Sequence, residues 1–379
     1  MQCPKCESKT AKRNGMGRGL CIEGKHTFML GEPELASLAE EATLASQGHA
    51  PEHDLARSTP AGFGVKGFSN YYPDDGRGYG QWLKVDRDAV MQQAVMEAAV
   101  KAMGEKLPRE KARAAPKASL ADLANCYVIT DYHLGMLSWH EETGDDWDMK
   151  IAEDMLVAWF AAAIAQSPDA KVGIFAQLGD FLHWDGMDAV TPASKHLLDA
   201  DTRFQKLVRV AIRVIRRVIN MLLAKHELVH VIAAEGNHDP ASSIWMREWL
   251  SAIYENEPRV TVDVSPDPYY CFEWGLTSLF FHHGHKRRPR QIDDVFAAKF
   301  REVFGRTKHS YAHMGHMHHI DVKETTMMVI EQHRTLAASD AYASRGGWMS
   351  GRDAQVITYH NAFGEVGRIR VSSRMLEVA

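Results

Sequence analysis

The sequence predicts an α/β fold in which helices pack on sheet faces and a second, partly antiparallel sheet completes the main domain. Two observations carry this. After about Leu123, apolar runs of strand length alternate with long segments of helical periodicity, the pattern of β-α-β units. Beyond Arg259 the strand-like runs follow one another with short links, which suits antiparallel pairing better than crossover helices.

In chain order, residues 1–30 form a small, basic, cysteine-bearing unit, and 31–57 are polar and rich in Ala and Glu, a short helix and then a linker. "GFGVKGFSNYYPDDGRGYGQWLKV" sets Asp74-Asp75-Gly76 between aromatic runs, predicting a hairpin. A helix is predicted from Asp86 to about Lys106, with Asp86 or Asp88 as N-cap and Val90, Ala94, Val95 and Ala98 at helical spacing. Residues 31–106 are thus an accessory region. "LPREKARAAPKAS", with two prolines, many charges and little bulk, reads as a linker. The linker is assigned to 107–123 and the catalytic domain to 124–379. Within that domain the strands "CYVIT", "KVGIFAQLGD" and "LVHVIAAEGNHD" alternate with the helices "DMKIAEDMLVAWFAAAIAQS" and "ADTRFQKLVRVAIRVIRRVINMLLAKH". The second sheet is assigned "RVTVDV", "YYCFEWG", "TSLFFHHGH", "ETTMMVIEQH" and "AQVITYHNAFGEVGRIRVSS".

A chain of 379 residues accommodates one large domain with appendages, at roughly 100–200 residues per domain. The net charge of -5 excludes a polycation, so any affinity for nucleic acid must come from local basic patches. Of the cysteines Cys3, Cys6, Cys21, Cys126 and Cys271, the first three crowd together. That favours metal binding over a disulfide framework and a reducing compartment. The N-terminus lacks a secretory apolar region, and no uncharged apolar run approaches the ~18 residues that span a bilayer. A soluble, cytoplasmic chain without membrane contact is expected. The chain has 20 histidines, with His282, His283, His285, His309, His313, His316, His318 and His319 packed close together, a density that invites a metal reading.

The predicted strands end in metal-type ligands. Cys126–Thr130 leads into Asp131-Tyr132-His133, Val172–Leu178 into Gly179-Asp180-Phe181-Leu182-His183, and Leu228–Ala234 into Gly236-Asn237-His238-Asp239. Leu279–Phe281 leads into His282-His283-Gly284-His285, and the run after Ser310 into Gly315-His316-Met317-His318-His319. Open α/β sheets gather ligands outside the carboxyl ends of their strands, so these loops can converge on one crevice. Imidazole, carboxylate and amide oxygen together suit manganese, iron, zinc or cobalt better than magnesium. Two such ions ~3.5–4 Å apart acidify a water and clamp a phosphate.

Read in order, D-x-H, G-D-x-x-H, G-N-H-D, H-G-H and G-H-x-H resemble the calcineurin-like metallophosphoesterase superfamily, over roughly residues 124–320. The resemblance implies a four-layer αββα sandwich of two mixed sheets and a site for two divalent ions, manganese first. By motif position, Asp131, His133 and His318 would hold one ion and Asn237, His283 and His316 the other, with Asp180 bridging. Neighbouring His282 and His285 leave the choice of imidazole open, and His283 is preferred because it precedes the glycine. His238 would meet the phosphate and protonate the leaving oxygen, and Asp239 would tie down its loop. His183 stands where many phosphatases of the superfamily carry an Asp paired with the catalytic histidine, while its DNA double-strand-break repair nucleases carry His. If Gly315 opens a strand-like turn, His316 and His318 point the same way.

The remaining clues concern the substrate. His285, Lys286, Arg287, Arg288 and Arg290 form a basic run directly after a ligand, suited to phosphates flanking the scissile one, and Trp184 is a candidate to stack a base. Cys3, Cys6 and Cys21 resemble a zinc ribbon, but Gly24 replaces the fourth cysteine, so His26 must complete a structural zinc site. The basic residues around it suggest docking on DNA. His313 and His319 are assigned structural or exposed roles, and Cys126 and Cys271 inert core positions. The plan of ribbon, linker and phosphoesterase looks like proteins of tailed bacteriophages, which would place it in the host cytoplasm. The expected function is a two-metal DNA phosphodiesterase for replication, repair or processing. Repair nucleases of this type often work with an ATPase partner. The alternatives are a small-molecule phosphoesterase for nucleotides, cyclic nucleotides or phosphomonoesters, and a DNA-binding adaptor with an idle site. Oligomeric state is open.

Overall fold

The computed structural model describes residues 11–13, 18–21, 26–29, 67–72, 81–86, 109–117 and 120–376. The chain divides into two units, Met1–Asp88 and Ala89–Ala379. In the first, β1 (Ala11–Arg13), β2 (Arg18–Cys21) and β3 (His26–Met29) form a three-stranded antiparallel sheet. A separate antiparallel hairpin joins β4 (Gly67–Tyr72) to β5 (Gln81–Asp86). Cys3, Cys6 and the helix expected up to Lys106 lie outside the described residues, as do the side chains of Cys21 and His26.

In the second unit, β6 (Leu120–Ile129), β7 (Ala170–Gln177), β8 (Leu228–Ala233) and β9 (Val260–Val262) run parallel. The second sheet holds β10 (Tyr270–Trp274), β11 (Thr277–His282), β12 (His309–Met314), β13 (Asp321–Glu324) and β14 (Val329–Gln332) in the order β10-β11-β12-β14-β13. Its three central strands are parallel and its edge strands antiparallel. The hairpin of β15 (Asp353–His360) and β16 (Gly364–Ser372) returns to the first sheet, where β15 lies antiparallel to β6.

The side chains of these strands sort by parity, as period-two alternation requires. Tyr127 and Ile129 of β6 enter a core with the long helices α1 (Met149–Gln166), α2 (Phe204–Lys225) and α3 (Pro240–Ile253), through Trp159, Phe160, Leu207, Ile215 and Trp249. Cys126 and Val128 face the other way and meet Leu279 and Phe281 of β11 between the sheets. Phe280, on the opposite face of β11, packs with Ile292 and with Phe296 of α4 (Asp293–Lys299). Three cores in sequence make four layers, an αββα sandwich of two mixed sheets. Local chemistry sets the helix limits: the Asp148 carboxylate accepts the Ile151 N–H at 2.7 Å to cap α1, and Pro240 opens α3 where its missing N–H costs nothing.

The architecture corrects several sequence expectations. "RVTVDV" and the hairpin 353–372 belong to the first sheet, because pairing partners far apart in sequence leave no local signature. "ETTMMVIEQH" is split by a turn in which Thr325 N–H bonds to the Met328 carbonyl at 3.0 Å. α3 and the helices after Pro289 had not been anticipated. The described part of the expected linker is docked: Glu110 is buried and pairs with Arg216 at 2.5 Å, and Arg113 N–H donates to Glu257 at 2.9 Å. β6 begins at Leu120, inside the segment assigned to the linker. Among the described residues no helix is long and apolar enough to cross a membrane.

Candidate metal centre

All five ligand-bearing loops leave the carboxyl ends of parallel strands, β6, β7 and β8 of one sheet and β11 and β12 of the other. The backbone there is contorted. Asp131 (φ 49°), His133 (48°), Asp180 (52°), His316 (75°) and His318 (55°) all adopt the left-handed region. Asp and His enter it more readily than most residues, yet such positions cost about 1–3 kcal/mol each and persist where the surroundings over-determine them. This is the physical reason that the strand-like turn expected after Gly315 does not form: β12 ends at Met314 and both histidines sit in a tight turn.

The loops lock together through backbone bonds. Asp131 N–H donates to the Gly179 carbonyl and His133 N–H to the Asp180 carbonyl, both at 3.1 Å. The Asp239 carboxylate accepts the N–H groups of Asp180 (3.2 Å) and Leu182 (3.0 Å), tying the third loop to the second. His316 N–H (2.8 Å) and the Thr130 hydroxyl (2.6 Å) donate to Asp131 Oδ2, leaving Oδ1 toward the centre. Two glycines are needed for this close approach. A Cβ at Gly236 would overlap the Asp180 carboxylate and backbone nitrogen, and one at Gly315 would overlap the Thr130 hydroxyl and stand 2.5 Å from Asp131 Oδ2.

The side chains form adjoining donor sets. Ligand atoms of Asp131, His133 and His318 lie within 4.8 Å of one another, and so do those of Asp180, His283 and His316. The sets touch through His283, whose Nε2 is 3.0 Å from Asp180 Oδ2, 3.9 Å from Asp131 Oδ1 and 3.0 Å from Asn237 Oδ1. Its Nδ1–H donates to the Leu178 carbonyl at 2.9 Å, which aims Nε2 inward. On the other side His318 Nε2 is 3.1 Å from Asp131 Oδ1 and 3.4 Å from His133 Nε2.

The electrostatics couple the two carboxylates to the imidazoles around them. Burial pushes the Asp131 carboxyl up, but the neighbouring His318 and His283 outweigh it and hold it below the usual range. Burial opposes ionisation of Asp180 as well, and His283 with its hydrogen bond carries that carboxyl well below its ordinary value. Conversely, burial would lower His283, yet Asp180 and Asp131 raise it to about 9. Burial dominates at His133, which is held well below its ordinary value with help from His238 and His183, and at His183, pushed to about 3. Among the described residues the salt-bridge partners of Asp131 and Asp180 are histidines alone. Two buried carboxylates surrounded by imidazoles and an amide oxygen, with no Lys or Arg paired to them among the described residues, are a donor set that fits a pair of divalent ions.

His238 stands at the edge of the cluster. Its Nδ1–H donates to the His183 carbonyl at 2.8 Å, so Nε2 is the atom left to exchange a proton, and its N–H donates to Asp180 Oδ1 at 2.7 Å. The contact between His183 and His238 therefore runs through backbone and a stacked ring pair at 5.7 Å, while His183 Nδ1 lies 3.2 Å from His133 Nδ1.

The proposed substrate residues separate. Lys286, Arg287 and Arg288 are exposed and make no salt bridge to a described residue; the side chain of Arg290 lies outside the description. His285 is half-buried, stacked on His282 at 5.7 Å and 3.8 Å from Glu235, so it belongs to the wall of the site. Trp184 corrects the sequence reading: it is 1% exposed, in the helix-facing core, and presents no face to a base. His319 is exposed. His313 is buried in a network with His333 (2.9 Å) and Tyr359 (2.9 Å). Sequence reasoning missed Thr130 and Thr335; the Thr335 hydroxyl donates to the Asp131 carbonyl at 2.6 Å. Thr130 could have been suspected from its place beside a ligand, whereas Thr335 gives no local signal. In the first unit Cys21 and His26 occupy directly paired positions of β2 and β3.

No protein-family model matches the chain, and no curated protein matches it in sequence. Solved structures with similarity include a novel archaeal phosphodiesterase, 14% identical with a TM-score of 0.34 over 65% of this chain and 99% of that one. A conserved Streptococcus pneumoniae protein, itself named a predicted phosphoesterase, is 11% identical with a TM-score of 0.27 over 66% and 98% of the two chains. Vps29 of Entamoeba histolytica complexed with zinc is 12% identical with a TM-score of 0.29 over 66% and 99%. The chemistry of this chain therefore rests on its own residues.

Proposed function

We propose that this chain is a metal-dependent phosphoester hydrolase whose substrate is DNA, cleaved at its phosphodiester bonds. The observation that carries the reading is the adjacency of the two donor sets, joined by the contacts of His283 with Asp180 and Asp131. Divalent ions held there, manganese before iron, zinc or cobalt, would supply charge neutralisation for phosphoryl oxygens and acidify a water. His238 holds its Nε2 available for a proton at the leaving oxygen, oriented by the His183 carbonyl. Asp239 fixes the loop that carries Asn237 and His238 against Asp180. Lys286, Arg287 and Arg288, exposed and without an ion pair to a described residue, suit the phosphates on either side of the scissile one, and Cys3, Cys6, Cys21 and His26 would form a zinc-stabilised DNA-docking element in the first unit. The test is a panel of single-stranded DNA, duplex DNA, RNA, cyclic nucleotides and a model diester incubated with manganese. DNA cleavage by the intact chain, lost in Asp180→Asn, supports the reading, and hydrolysis of small substrates alone refutes the DNA assignment.

A further inference from the structure

The segment that supports Asp131 through Thr335 also borders a second polar cavity, of 330 Å³, lined by Arg334, Arg352 and Arg374 with Asp145, Asp353 and Ser373 among its other walls. Its guanidinium groups are held in place. Arg352 Nη1 pairs with Asp145 at 3.0 Å, its Nε donates to the Leu336 carbonyl at 3.0 Å, and its plane covers the Trp147 ring at 5.3 Å. Arg334 Nη1 pairs with Asp353 at 2.8 Å, and Arg370 Nε stands 3.5 Å from the same carboxylate. The network is not fully satisfied: Arg352 Nη2, Arg334 Nε and the acceptor Asp353 Oδ1 are buried without a hydrogen-bond partner. Gly351 keeps the space open, since a Cβ there would stand 2.9 Å from Arg334 Nη1. Positive charge exceeds negative, because the lining sets three arginines against the carboxylates of Asp145 and Asp353, and Arg374 is exposed and makes no ion pair with a described residue.

Planar guanidinium groups lining one cavity with excess positive charge are what a tetrahedral oxyanion requires. We propose that this cavity binds a phosphate group, carried by inorganic phosphate or by the end of a nucleotide. It is separate from the metal centre and would be felt there through the segment from Arg334 to Leu336, which contacts both.

Isothermal titration of the intact Asp180→Asn protein, in which the metal centre is crippled, with inorganic phosphate and with a nucleoside 5′-monophosphate tests this. Binding of either one is expected, and the tighter ligand names the source of the phosphate. Adding Arg334→Gln and Arg374→Gln should weaken binding at least tenfold without altering the circular dichroism spectrum. Should Arg334→Gln disturb folding, Arg374→Gln alone, at an exposed position, must still weaken binding several-fold. Failure of both ligands to bind, or unchanged affinity in a folded variant, overturns the proposal. The readout is binding, so it stands or falls independently of whether the chain hydrolyses DNA.

Discussion

His283 Nε2 lies 3.0 Å from Asp180 Oδ2, with both side chains almost fully buried, and this contact is among those that join the two sheets of the sandwich at the candidate centre. β7 of the first sheet delivers Asp180 and β11 of the second delivers His283. Asp180→Asn removes the charge at their meeting point while keeping the shape. Manganese affinity should fall at least tenfold, read by titration calorimetry, and turnover on a model diester should fall further.

His238 takes its place from a neighbour's carbonyl and lies outside the two carboxylate-bearing donor sets, with its ligand atom within 4.8 Å of those of His133 and His183. His238→Gln should lower turnover by roughly 10²–10⁴-fold and leave metal stoichiometry intact. Comparing an alkyl leaving group with p-nitrophenolate separates the roles: the defect should shrink with the nitrophenyl substrate, which needs no proton. An equal defect with both would remove His238 from proton transfer.

Gly236 has no space for a Cβ beside Asp180. Gly236→Ala should destabilise the protein by about 1–3 kcal/mol, as overpacking does, and weaken metal binding as well. Chemical denaturation with and without manganese measures both effects.

Trp184 fills the core over Gly135, where an added Cβ would stand 2.7 Å from the indole. Trp184→Ala should cost about 3–5 kcal/mol of stability. At a temperature where the variant is folded, KM should be unchanged; a raised KM with normal stability would return Trp184 to the substrate.

His226 is buried between Tyr127 Oη (2.9 Å) on Nε2 and the Ala170 carbonyl (2.8 Å), to which Nδ1–H donates, so the neutral ring satisfies both bonds. Burial lowers its pKa from 6.5 to about 4. The unfolded chain therefore binds the proton first, and stability contributed by this residue is lost as pH falls from about 6.5 towards 4, up to about 3 kcal/mol. Urea midpoints between pH 7 and pH 4 should fall less steeply in His226→Gln than in the parent.

The alternation of strands and helices between residues 124 and 234 was legible because each element carries its own periodicity, and the clustering of the candidate ligands because they follow strand ends in short polar blocks. What escaped was non-local. Nothing in "AQVITYHNAFGEVGRIRVSS" says that β15 pairs with β6, a strand more than 200 residues earlier, and a run buried on both faces hides its sheet. Trp184 follows His183 in sequence and was read as a candidate to stack a base, yet the chain turns it inward. His316 and His318 were read as pointing the same way on a strand-like turn, but the left-handed backbone at both positions belongs to the turn and leaves no trace in residue spacing.

The central claim is that Asp131 and Asp180 anchor two neighbouring cation sites. Elemental analysis of manganese-reconstituted protein tests it most directly. Two manganese ions per chain are expected in the parent and one or none in Asp131→Asn and Asp180→Asn; no bound manganese in the parent, or the same stoichiometry in all three, would contradict it.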